Sequence, residues 1–157
     1  MIIEIVKDNE FEQVHEMIAR SCSYSFPTYY PQGSIDYIIE EALCLDNLKK
    51  RASYTHFYVA KDQDKIIGCG AIGPYWDSQT ESSLFTIFVD PDYQGKGVGR
   101  KIVEILEQDE YALRANRIEV PASIVGIPFY KKMGYTHKNG ELVYEDGHFA
   151  MEKYFKR

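Results

Sequence analysis

The stretch VDPDYQGKGVGRKI, residues 89 to 102, joins the apolar run ESSLFTIFVD to a segment in which Val98, Ile102, Ile105 and Leu106 recur in helical rhythm. Gly95, Gly97 and Gly99 fall within five residues of one another, flanked by Lys96 and Arg100. Glycine weakens regular structure, so such a junction serves either a backbone turn with positive φ or the close approach of a ligand. A strand-to-helix turn of this kind is a physical anion site. The first helical turn has unpaired N–H donors, the helix dipole favours negative charge, and the two cations add to it. A phosphate or diphosphate is the natural ligand. A Walker A loop would need Gly-Lys-Ser/Thr, which does not occur. A dinucleotide fingerprint would need G-x-G-x-x-G opening a βαβ unit. Here the spacing is G-x-G-x-G, and it follows three successive strand patterns.

The rest of the chain alternates between the two periodicities. IIEIV at 2–6 is a short β-branched strand, and Asp8 or Asn9 can cap a helix carrying Val14, Met17 and Ile18 on one face. That helix should fail at SYSFPTYYPQG, where two prolines and a glycine intervene. A second helix is expected from Ser34 to Arg51, with Ile35, Ile38, Ile39, Ala42, Leu45 and Leu48 as its apolar positions. Three strands follow over 54–62, 65–76 and 81–90, the first two forming a hairpin across DQDK. After the glycine turn and its helix come a strand at 117–122, a short helix at 127–134 ending on Gly134, and strands near 135–138 and 148–155. The order β-α-α-β-β-β-α-β-α-β-β implies a mixed α/β sheet. The strand at 81–90 and that at 117–122 should run parallel through a right-handed crossover. No linker or repeat divides residues 1–157, which are expected to form a single domain.

Composition narrows the function classes. The chain is 45% hydrophobic and 27% charged, as expected of a folded protein, and its net charge of -6 argues against nucleic acid as the main partner. Cys22, Cys44 and Cys69 are odd in number and widely spaced, which suits a reducing compartment without a zinc site. His15, His137 and His148 show no metal-ligand spacing. No apolar run approaches the ~20 residues of a membrane span, and the N-terminus lacks the pattern of a signal peptide. A cytoplasmic location is the expectation.

The segment Gln94-Gly95-Lys96-Gly97-Val98-Gly99, after TIFVDPDY, resembles the Gln/Arg-x-x-Gly-x-Gly/Ala acyl-CoA signature of GNAT-type N-acetyltransferases. PASIVGIPFYKKMGYTH is similar to that family's second hallmark, a helix carrying FY-x-x-x-G-Y/F after a strand. The inferred element order also matches the family fold. The resemblance is strongest over residues 54–138.

The resemblance implies a splayed pair of parallel strands, Leu84–Val89 and Arg117–Val120, whose gap receives the pantetheine arm of acetyl-CoA. Backbone groups of Phe88 and Val89 would pair with pantetheine, the Val89 N–H would face the thioester oxygen, and the amides of Gln94 to Arg100 would hold the diphosphate. Tyr130 is implied as the general acid that protonates the departing thiolate. Ser123 stands where many relatives carry asparagine, and it is retained as a cofactor contact. Glu81 is the candidate base for the amine. In some relatives a glutamate stands instead where Ser83 lies, two residues on and on the same strand face; a water chain and His56 are the rivals.

The family's acceptor pocket is often lined by the loop between the first two helices, which points here to Tyr29 and Tyr30, with Tyr24 and Phe26 beside them. Tyr75 and Trp76 end the third strand nearby. An aromatic wall of this kind can hold an ammonium ion, and Glu40, Glu41 and Asp77 lean toward a basic acceptor. The implied activity is acetyl transfer from acetyl-CoA to an amine, without a metal. A homodimer is suggested by analogy alone. Two other functions stay open: a non-catalytic acyl-CoA-binding regulatory module on the same fold, and a nucleotide- or phosphate-binding module.

Overall fold

A computed structural model of the chain describes residues 1–145 and 147–156. Its elements are β1 (Ile2–Ile5), α1 (Phe11–Ser25), α2 (Gln32–Tyr37), α3 (Leu45–Tyr54), β2 (His56–Asp62), β3 (Lys65–Pro74), β4 (Glu81–Val89), α4 (Val98–Leu106), α5 (Glu110–Leu113), β5 (Arg117–Ala122), α6 (Ile127–Lys132), β6 (Thr136–His137), β7 (Tyr144–Glu145) and β8 (His148–Tyr154). The strands form one mixed sheet in the order β1-β2-β3-β4-β5-β8-β6, with β7 paired to β8. The β4–β5 pair is parallel, as expected from the crossover through α4. No described helix is long and apolar enough to cross a membrane.

The sheet separates two apolar cores. One face packs Ile67, Ile72, Leu84 and Ile118 against Ile102 and Leu106 of α4. The other packs Phe57, Val59 and Ala71 against Val14, Ile18 and Cys22 of α1 and Leu48 of α3. Gly68 and Gly70 let α4 lie close on β3, since a Cβ at either position would meet an Ile102 side-chain carbon at 2.8 Å.

The second expected helix is in fact three pieces. A π-helical turn, Ile38–Ala42, follows α2, and the chain then leaves helical geometry at Leu43 and Cys44 before α3 begins. Ile35 and Leu48 are both fully buried in the same core. In one continuous helix, thirteen residues at 3.6 per turn would set them about 220° apart. The break lets both side chains reach one core. The expected caps also shift: α2 begins after Pro31 with Ser34 inside it, and a 3₁₀ turn at Asp8–Glu10 precedes α1.

Two irregularities open the middle of the sheet. The β4–β5 ladder runs only through Glu81↔Arg117, Ser82↔Ile118 and Ser83↔Glu119. Beyond it β5 continues against β8 as far as Ala122↔Phe149, while β4 continues against β3. In β4 one extra residue separates the pairs Cys69↔Phe88 and Ala71↔Phe85, and Thr86 takes φ 56°. A β-branched residue in the left-handed region costs about 1–3 kcal/mol and needs local support. Arg51 Nη1 donates to Thr86 Oγ1 at 3.2 Å, and Cys69 Sγ donates to the Thr86 carbonyl at 3.2 Å. The splay expected between Leu84–Val89 and β5 is therefore present, with this bulge on its β4 side.

Candidate active site

The glycine turn lies at the open end of β4. Asp90 is fully buried, caps the 3₁₀ turn Pro91–Tyr93 through the Asp92 N–H, and is held by Arg20 of α1 at 2.6 Å. Gly95 and Gly97 take φ 77° and 85°, and Gly97 is the N-terminal cap of α4. Both need glycine for backbone reasons. A Cβ at either would nevertheless meet nothing within 4 Å, so the space above the turn is open to a ligand. The N–H groups of residues 95–97 donate to no backbone acceptor among the described residues. Those of Val98, Gly99 and Arg100 form the first turn of α4, where helical partners are lacking. Lys96 and Arg100 are exposed at the rim. Gly99 does something different: its Cβ would press on the Phe129 ring at 3.2 Å, so it sets the contact between α4 and α6. The Gln94 side chain bonds back to the Val89 carbonyl at 3.3 Å.

Ladder phase decides which β4 amides face the opening. The Asp90 N–H donates to Ile67 O at 2.8 Å, so Asp90 and Phe88 are the residues bonded to β3. In an antiparallel ladder the alternate residues turn the other way. Val89 and Ile87 therefore direct their N–H and C=O groups toward the gap, and Phe88 directs its own toward β3. The family resemblance implied backbone pairing at both Phe88 and Val89, without regard to the pleat. The pleat separates them, and the bulge at Thr86 sets the phase.

Tyr130 of α6 is 7% exposed, in T-shaped contact with Phe129 and Tyr135. Burial pushes its hydroxyl above the ordinary phenol range, and the nearby Cys69 sulfur adds to the shift. It thus holds its proton. Ser123 follows β5 and takes the N-cap position of the 3₁₀ turn leading into α6, and its hydroxyl lies near Gly126.

Glu81 sits at the paired end of β4, with Oε2 3.5 Å from Arg117 Nη1. Arg117 is buried and also binds Glu119 and Glu152, while Lys138 reaches Glu119 at 3.1 Å. Glu81 thus belongs to an ionic cluster. His56 is on Asp109 at 2.8 Å, and Tyr58 donates to the same carboxylate at 2.6 Å. These groups line a separate cavity of about 580 Å³ near the end of β1. No described group of three or more His, Cys, Asp or Glu is arranged to hold a metal.

A cleft of about 550 Å³ lies where β4 leaves β5, lined by Arg51, Tyr54, Trp76, Ser83, Phe85 and Glu119 among others. Of the residues expected on the acceptor side, Tyr75, Trp76 and Asp77 line it, and Trp76 is 87% exposed. Tyr30 packs on Phe26 and accepts the Ile124 N–H at 3.2 Å, tying the α1–α2 loop to the turn after β5. Tyr29 is 57% exposed and does not line the cleft. Sequence reasoning missed Tyr54, Phe85 and Arg51. Arg51 did leave a signal, since Asn47, Leu48, Tyr54 and Thr55 occupy the positions where a helical acidic partner would stand. Thr86 left none.

Comparison with known proteins agrees with this geometry. Residues 53–137 match the family model described as an acetyltransferase (GNAT) domain. The amino-acid acetyltransferase of Mycobacterium tuberculosis is 33% identical over 90 residues, covering 55% of this chain and 49% of that protein. This chain thus spans about half the length of that relative. The spermine/spermidine N(1)-acetyltransferase of Bacillus subtilis is 29% identical over 120 residues, covering 71% and 78% of the two chains. In fold, the chain resembles the PaiA N-acetyltransferase of Thermoplasma acidophilum, solved in complex with coenzyme A: the TM-score is 0.84 at 20% identity, covering 99% and 100%. An aminoglycoside 6'-N-acetyltransferase, also complexed with coenzyme A, gives 0.71 at 20% identity, covering 100% and 99%.

Proposed function

The chain belongs to the GNAT acetyltransferase family, and from that premise we propose that it moves the acetyl group of acetyl-CoA directly to a primary amine bound in the cleft beside the β4–β5 opening. The observation that carries this reading is the coincidence of three features at one end of β4: a gap, outward amides and a glycine turn with open N–H donors. The diphosphate sits on the amides of Gln94 to Arg100, with Lys96 and Arg100 at its rim. The pantetheine arm enters the gap and pairs with Val89 and Ile87, beside Ser123 just after β5. No metal takes part.

In the reaction the neutral amine nitrogen attacks the thioester carbonyl carbon. The Val89 N–H stabilises the oxyanion, a contribution of roughly 3–4 kcal/mol for a preorganised donor. The C–S bond then breaks, and the thiolate takes the Tyr130 proton, yielding free CoA and the N-acetylated product. The ammonium form of the acceptor gives up one proton to water in the open cleft before it attacks, and the second proton, released from nitrogen as the amide forms, restores Tyr130 by way of that water. Glu81, engaged with Arg117, is poorly disposed to receive the first. Amine acceptors are in keeping with the amino-acid and spermine/spermidine acetyltransferases to which the chain is similar.

The test is a calorimetric titration with acetyl-CoA, set against ATP and NAD, followed by thiol release across a panel of amines. Micromolar acetyl-CoA binding with weak nucleotide binding, and thiol release with an amine, is the expected outcome. Binding without turnover on any amine would favour a regulatory acyl-CoA module. No binding up to millimolar would overturn the reading.

A further inference from the structure

The cleft contains a cation, Arg51, that forms an ion pair with neither of the acids lining it, Asp77 and Glu119. Arg51 stands in the last turn of α3, with its guanidinium 4.3 Å from the Phe85 ring centre and 5.8 Å from that of Tyr54. Nη1 donates to Thr86 Oγ1, but Nε is buried and has no hydrogen-bond partner. None of the ion pairs among the described residues includes Arg51. Buried donors are almost always satisfied, and an orphan calls for a cause. A guanidinium stacked on a ring keeps its planar edge available, and that edge matches a carboxylate through two parallel charge-assisted bonds. The surroundings point the same way. A smaller pocket of about 190 Å³ shares Arg51 and Tyr54 with the cleft; Thr86, Lys50 and Asn47 also line it, and no acidic residue does, whereas Asp77 and Glu119 line the cleft itself, Glu119 being held by Arg117 and Lys138. On a chain of net charge -6, the smaller pocket is a local positive site.

We infer that Arg51 receives a carboxylate of the acceptor, so that the substrate is an amine adjacent to a carboxylate, an α-amino acid in preference to a simple amine or polyamine. This rests on the acetyltransferase reading above. Thr86, which Arg51 touches, directly precedes Ile87, whose amide faces the gap. A carboxylate on Arg51 therefore holds an amine one carbon away at the mouth of the opening. An amine at the end of a long chain would be carried past it.

Trp76 is the only tryptophan of the chain and lines the same cleft, so its fluorescence reports occupancy. The test titrates the protein, with and without CoA, with matched pairs that differ only in the carboxylate: L-phenylalanine against phenethylamine, L-lysine against cadaverine, and the other common amino acids against their decarboxylated forms. Thiol release from acetyl-CoA is measured on the same pairs. The carboxylate member should be favoured roughly 100-fold, because losing the anion leaves a buried guanidinium edge unpaired. Arg51→Gln should collapse that ratio toward one, and Arg51→Lys, which keeps the charge but loses the fork, should restore only part of it. Equal binding of both members by the wild-type protein would overturn the proposal, as would no binding of either. An equal loss of both members in Arg51→Gln would also overturn it. The wild-type comparison needs no variant, so a misfolded Arg51→Gln leaves the test intact. If acetyl-CoA fails to bind, the transferase reading falls, while the tryptophan titration still decides Arg51.

Discussion

The Arg20 guanidinium meets the buried Asp90 carboxylate at 2.6 Å, so α1 holds the residue from which the glycine turn departs. Asp90 also accepts the Asp92 N–H at 2.9 Å. Asp90→Asn keeps the shape and removes the charge. It should cost about 1–3 kcal/mol of stability, as expected for hydrogen bonds to a charged buried group. It should also weaken acetyl-CoA binding, because the amides of the turn lose their fixed frame. Thermal unfolding and an acetyl-CoA titration on the same preparation check both. Unaltered affinity in a destabilised variant would mean that the turn is held by α4 alone.

Gly97 combines φ 85° with open space at its Cβ position. Gly97→Val therefore meets backbone strain, of about 1–2 kcal/mol for a left-handed residue, and places a branched side chain where a diphosphate would lie. Acetyl-CoA affinity should fall by far more than the stability does. Equal losses, read by calorimetry and chemical denaturation, would assign the glycine to the turn geometry only.

Tyr130→Phe removes the proton donor and leaves the packing. It should lower kcat by roughly 100-fold or more, with acetyl-CoA affinity nearly unchanged. The pH profile supplies a second readout. Burial raises the hydroxyl above its ordinary value of 10.0, so the protonated, active form persists past that pH. Any fall in kcat caused by loss of this proton must therefore lie above pH 10.0. An alkaline fall centred near neutrality that survives in Tyr130→Phe belongs to another group.

The cluster around Arg117 separates structure from chemistry. Burial pushes the Glu152 carboxyl up, but the Asn139 amide and Arg117 outweigh it and leave it below the ordinary 4.5. A lowered value stabilises the fold above pH 4.5, and that stabilisation is lost as pH falls through the folded-state value. Glu152→Gln should thus cost about 3 kcal/mol near neutrality, as for one partner of a buried pair, and less in acid. Denaturation at the two pH values measures the difference. Glu81→Gln, on the exposed side of the cluster, should cost less than ~1 kcal/mol and change kcat little. A loss of 100-fold in kcat would instead make Glu81 the base.

The local chemistry was legible in the chain. Gly95 and Gly97 in a strand-to-helix junction, Gly134 after 127–132, and the change from helical to alternating rhythm at residue 54 depend on neighbours a few residues away. Propensity, capping and turn rules read such neighbours directly. The opening between β4 and β5 was reached by a different route. It followed from the family resemblance of the motif, since nothing in LFTIFV itself says where a ladder ends.

Other features depend on contacts between residues far apart in the chain, and periodicity carries no record of them. Ile35 and Leu48 share one core, and that broke an expected helix. Thr86 turns left-handed because Arg51 and Cys69 support it, which sets the phase that sends Val89 rather than Phe88 toward the gap. Glu81 reads as an available base along the strand, yet Arg117, thirty-six residues on, engages its charge. Arg51 is one of 18 lysines and arginines by composition. What singles it out is a buried Nε with no hydrogen-bond partner and a guanidinium in no ion pair among the described residues, although Asp77 and Glu119 line the same cleft, a matter of which charges the folded chain leaves uncompensated.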